Sequence, residues 1–121
     1  MKYKKLPEAE LEIMLVLWDE NRPQTSENIM EKMDKKWTKP TLLKLLSRLC
    51  ERGFVKCEKN GRFNLYTAIA EKDDYLKQET GGFFKKLHKG SVTSLVVALY
   101  DGNNITKQDI EELEEYIRSA K

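Results

Sequence analysis

The chain has one histidine, His88, and two cysteines, Cys50 and Cys57, among 121 residues. It offers no Ser/His/Asp or Cys/His spacing, no H-E-x-x-H helix and no glycine-rich phosphate loop. Those gaps argue against nucleophilic, metal-assisted and nucleotide-dependent catalysis, so no catalytic residue is assigned. The cysteines form no C-x-x-C and His88 is remote from both, so neither a metal site nor another cofactor is expected. Two thiols fit a reducing compartment, with Cys50 on a leucine stripe as a small buried hydrophobe. Long hydrophobic runs are missing too. The longest uncharged apolar stretch, Ser91–Tyr100, falls short of the ~20 residues a membrane span needs. The opening M-K-Y-K-K-L-P has no apolar signal-peptide core, so a cytoplasmic location with no membrane partner is expected.

A net charge of one sign is nearly absent as well, at +2. Its distribution is uneven. Residues 1–70 hold 14 Lys/Arg against 10 Asp/Glu, and residues 71–121 hold 8 against 10. Within 32–62 the balance is 10 against 3. A solvated face would mix its signs more evenly, and a clustered cationic excess favours phosphate binding.

That basic window contains the most patterned stretch of the chain, Trp37 to Tyr66. Thr38 is a plausible N-cap, and Pro40 falls in a first turn where a missing N–H costs nothing. Leu42, Leu45, Leu46, Leu49 and Cys50 form one apolar stripe at helical spacing. Gly53 stands where a left-handed C-cap is needed. The other face carries Thr41, Lys44, Ser47, Arg48 and Glu51, short donors and bases suited to a major groove. Val55–Lys59 and Arg62–Thr67 then read as strands joined by Asn60-Gly61, a two-residue hairpin signal. Lys59 and Arg62 flank the turn. A reading helix followed by a basic-tipped hairpin predicts a winged helix-turn-helix.

Upstream, Leu6-Pro7 opens a first helix, with Glu8, Glu10 and Glu12 at its positive end. Ala9, Ile13, Val16 and Leu17 face inward, widened by Leu11, Met14, Leu15 and Trp18, so this helix sits centrally. Thr25 or Ser26 caps a second helix carrying Ile29, Met30 and Met33 and closed by Lys35-Lys36. Trp37 reads as a packing anchor of the turn. Downstream, helices begin at Lys72-Asp73-Asp74, Ser91 and Thr106, and Gly81-Gly82 predicts a kink, a close contact or a hinge in the first of these. The final 51 residues are too few for a secure core of their own. Yet Phe83, Phe84, Leu87, Leu95, Val96, Leu99, Ile110, Leu113 and Ile117 recur there. Either they fold back on the first 70 residues or they meet a second copy. A reader with one short helix gains by doubling, which favours a homodimer on two half-sites.

The sequence resembles the penicillinase-repressor family, of the BlaI, MecI and CopY type. L-P-E-A-E-L-E-I-M-L-V-L-W, W-T-K-P-T-L-L-K-L-L-S-R-L-C-E-R-G-F-V and K-G-S-V-T-S-L-V-V-A-L followed by I-E-E-L carry the likeness. It implies a mainly α fold with a small β-hairpin. Residues 1–71 would be a winged helix-turn-helix DNA-binding domain and 72–121 a helical dimerisation domain. The implied function is repression at a palindromic operator, including genes of β-lactam resistance or related stress. Relatives open their reading helix S-P-K-T, where this chain has Thr38-Lys39-Pro40-Thr41; Leu43 replaces a common polar or basic residue and Lys44 a frequent threonine. Base preference is therefore expected to differ. In β-lactam-responsive members a sensor protease cuts an Asn-Phe bond that reads Ala98-Leu99 in this chain, and the C-x-C pairs of the copper-responsive members are missing.

The residues assigned to DNA are Thr41, Lys44 and Ser47 toward base edges, and Lys39, Arg48, Lys59 and Arg62 toward phosphates. The competing reading is a protein-interaction module that uses a winged helix as scaffold, since fold alone does not fix function.

Overall fold

The computed structural model describes residues 2–120. Helix α1 (Glu8–Glu20) starts after Pro7 and stops at Asn21, which turns left-handed at φ 51° and returns its N–H to Leu17 O. Helix α2 (Ser26–Lys32) is capped by Thr25. The Thr25 hydroxyl accepts from Asn28 N at 3.1 Å, and Asn28 Oδ1 accepts from Thr25 N at 3.2 Å, a reciprocal capping box. Lys35 and Lys36 lie beyond the helix end, because Asp34 and Lys35 take positive φ and carry the turn. Helix α3 (Lys39–Glu51) follows, its first turn capped by the Thr38 hydroxyl, which accepts from Thr41 N. Gly53 leaves it at φ 81°, a conformation any side chain would strain.

Strands β1 (Val55–Asn60) and β2 (Phe63–Ala68) pair antiparallel, with Cys57 opposite Tyr66 and Asn60 opposite Phe63. The two-residue loop is therefore Gly61-Arg62, one position later than the Asn-Gly signal suggests. Only Gly61 carries the positive φ, 65°, which is the demand of a turn with glycine first, and Asn60 stays in the strand. A third edge is contributed by one residue. Gln24 exchanges both backbone hydrogen bonds with Tyr66, at 2.9 and 2.8 Å, and fastens the hairpin to the loop before α2.

The core lies where α1, α2, α3 and the hairpin converge. Ile13, Met14, Leu17, Ile29, Leu42, Leu46, Leu49 and Phe54 are fully buried, each worth about 1.5–3 kcal/mol relative to exposure. Trp37 packs against this cluster, as a corner anchor should. Trp18 does too, and its Nε1 donates to Ala70 O at 2.8 Å. Leu15, expected to widen the inward face of α1, is exposed, while Glu10 is buried. The buried arc of α1 is thus rotated toward its acidic side, because Arg52 waits there to neutralise Glu10.

Helix α4 (Lys72–His88) follows the hairpin and runs unbroken through Gly81-Gly82. The chain divides into two compact units within it, Met1–Glu79 and Thr80–Lys121. The first turns of α4 belong to the first unit: Leu6 N–H donates to the Tyr75 hydroxyl at 2.8 Å, and Tyr3 N–H to Gln78 Oε1 at 2.9 Å. Tyr75 closes an aromatic cluster with Tyr3, Phe54 and Trp18, ring centroids 5.7–6.1 Å from it.

The second unit holds the rest of α4, α5 (Val92–Asp101) and α6 (Lys107–Ser119). Its caps are strong. Ser91 Oγ accepts from Ser94 N at 3.1 Å, and Thr106 and Asp109 form a second capping box. Its packing is not. No described residue from Thr80 onward is buried. No helix of the described residues is long and apolar enough to cross a membrane.

Candidate nucleic-acid interface

Helix α3 presents two faces of opposite character. Leu42, Leu45, Leu46 and Leu49 are buried, and they fix the rotation of the helix about its axis. Thr41, Lys44, Ser47 and Arg48 consequently point to solvent. Lys44 and Arg48 stand one turn apart, and among the described residues neither forms an ion pair. Two uncompensated like charges at this spacing cost a few tenths of a kcal/mol, a cost that an external polyanion removes.

The wing supplies two more exposed cations. Lys59 lies on β1 opposite Asn64, and Arg62 occupies the turn itself. Both are also without an ion pair among the described residues. Lys39 differs: its Nζ meets Glu27 Oε1 of α2 at 2.8 Å. That contact is exposed on both sides, and such pairs are worth at most about 1 kcal/mol, so Lys39 can exchange Glu27 for a phosphate. Lys36 is similarly engaged with Glu12, at 2.9 Å.

Sequence patterning passes over several residues that shape this surface. Gln24 sets the wing against the helix-turn-helix through a single bridge, which leaves no periodic trace. Between α3 and the wing lies a crevice of about 170 Å³, with Leu43 and Phe63 as its apolar wall and Lys39 and Arg62 at its sides. Phe63 is 57% exposed and Leu43 37%. Behind α3, the guanidinium of Arg52 binds Glu10 Oε1, and this ties the end of the helix to α1.

Burial pushes the Tyr66 phenol and the Cys50 thiol above their ordinary values, which leaves both protonated and unreactive near neutrality. Cys50 is half-buried and Cys57 exposed, and both are free. Among the described residues no group of three His, Cys, Asp or Glu is placed to hold a metal ion.

The apolar residues of the second unit face outward in part. Phe83, Leu87, Leu113 and Ile117 are exposed, and Phe84, Leu95, Val96, Leu99 and Ile110 are half-buried. Val92, Val97, Tyr100 and Tyr116 join them at the surface. These side chains leave apolar surface of the second unit open to solvent.

Comparison with known proteins accords with this geometry. The profile of the family described as "Penicillinase repressor" matches residues 6–119. The penicillinase repressor of Bacillus licheniformis is 29% identical over 122 residues, covering 98% of this chain and 95% of that protein. The methicillin resistance regulatory protein MecI of Staphylococcus aureus (strain N315) is 29% identical over 114 residues, covering 93% and 92%. Among solved structures, the monomeric form of Bacillus licheniformis BlaI in complex with the blaP half-operator superposes with a TM-score of 0.50 at 28% identity. It covers 60% of this chain and 89% of that one, and the fold of this chain is a winged helix-turn-helix followed by helices. With a profile match that spans both units, the chain belongs to the penicillinase-repressor family.

Proposed function

We propose that the protein is a cytoplasmic transcriptional repressor that binds a palindromic operator as a homodimer. The observation that carries this reading is the outward face of α3, whose Lys44 and Arg48 are unpaired among the described residues while four leucines lock the opposite face into the core. Thr41, Lys44 and Ser47 meet base edges in the major groove, and Lys39, Arg48, Lys59 and Arg62 hold phosphates and set register. Residues 1–71 serve as the DNA-binding domain and 72–121 as the dimerisation domain. The lack of any buried residue among those described from Thr80 onward supports a second copy as the missing wall, since two-fold doubling then engages two half-sites.

The regulated genes we infer are those of β-lactam resistance or a related stress response, after the relatives' names. A sensor protease is the matching upstream partner. At the position of the relatives' Asn-Phe bond this chain carries Ala98–Leu99, within α5, so a cut of that specificity is not assigned to it.

A gel shift of the purified protein on random-sequence duplex tests the reading. Retarded complexes at low salt that dissolve as salt rises are expected. No complex at low salt overturns it in favour of a winged-helix protein-interaction module.

A further inference from the structure

We propose that Leu43 is a specificity-determining residue of the operator contact, reading a thymine by packing on its C5-methyl group. The inference rests on α3 being the groove-reading helix and goes on to assign a base to one of its side chains.

Among the described residues, Leu43 is the one large apolar side chain of α3 that is exposed. It lies off the buried leucine stripe, so the core does not account for its being a leucine. One helical turn separates it from Lys39 on one side and Ser47 on the other, in the half of the helix that enters a groove first. Phe63 of the wing lines the same crevice, which lowers the polarity around the leucine and makes its burial against another apolar group more favourable.

The major groove offers few apolar groups. Guanine, cytosine and adenine edges present donors and acceptors, and thymine alone adds a methyl group. A leucine over the other edges would cover polar atoms without pairing them, which is costly. Over thymine it removes apolar surface from water on both sides. Leu43 therefore selects by attraction to one base and by leaving the alternatives unpaired.

The test uses the full-length protein and a duplex it retains from a random pool. Each thymine is replaced singly by deoxyuridine, which removes the methyl group and nothing else. Wild-type affinity is expected to fall about fourfold at one thymine of each half-site, the worth of one buried methyl group. Leu43→Ala should bind more weakly overall and be indifferent to that replacement, while Leu43→Met retains the dependence. A melting curve of each variant confirms that it is folded, as expected for an exposed position. If no thymine is sensitive, or if the loss persists undiminished in Leu43→Ala, the assignment to Leu43 is wrong. If the protein retains no duplex at all, the operator reading fails first and the assignment with it.

Discussion

Arg52, which caps the end of α3, binds the carboxylate of Glu10 on α1, and Glu10 is only 1% exposed. Among the described residues its second oxygen, Oε2, accepts no hydrogen bond. The pair spans 42 positions of sequence and holds the reading helix against the centre of the fold. The buried charge makes this a tie that is costly to break on one side only.

Arg52→Ala should accordingly lower stability by about 2–4 kcal/mol, toward the lower end for buried pairs because the arginine is one-third exposed. Replacing both partners by leucine should be nearly neutral. Urea unfolding of the two variants checks the contrast, and equal losses in both would show that packing rather than charge dominates.

Lys44→Ala and Arg48→Ala should separate reading from holding. The first is expected to relax preference at one base pair by about 1–3 kcal/mol, leaving other positions unaffected. The second should weaken all sequences alike and reduce the slope of log affinity against log salt by about one. Binding isotherms on a set of single-base operator variants at several salt concentrations give both quantities.

Alkaline pH should loosen the first unit. Burial raises the phenols of Tyr66 and Tyr75 above their ordinary value. Unfolded tyrosine ionises near pH ~10, while these two hold their protons to higher pH. Their contribution is thus fully present below pH ~10 and is lost as the pH climbs through the folded values. Tyr75→Phe should flatten that fall. It should also cost about 1–2 kcal/mol at neutral pH by orphaning the buried Leu6 N–H. Melting temperature against pH for the two proteins measures both effects.

Leu113→Glu should break the proposed pairing of second units. Leu113 is exposed, so a carboxylate in its place exchanges apolar contact for a charge that burial penalises. Sedimentation is expected to shift the molecule toward the monomer, with affinity for a full palindrome falling to that for a half-site.

Much of this was readable from the residues, for local reasons. Thr25, Thr38, Ser91 and Thr106 all cap helices, because the donors they satisfy lie within three residues. The leucine stripe of α3 was equally plain, since 3.6-residue periodicity needs no partner to be seen. What escaped depended on distant chain. Glu10 in a first helical turn reads as a solvated acid, and only Arg52, brought in by folding, makes its burial tolerable. Gln24 joins the hairpin through one residue, too little for a strand pattern. The turn moved by one because Asn60 and Gly61 both accept positive φ in principle, and cross-strand pairing of Asn60 with Phe63 decides between them.

In the proposed complex two copies place two α3 helices into one duplex. Hydroxyl-radical footprinting of the protein on its selected operator tests it most directly. Two protected patches are expected on one face of the duplex, related by symmetry and separated by about 10 base pairs or a multiple. A single protected patch at saturating protein, or none, would contradict it.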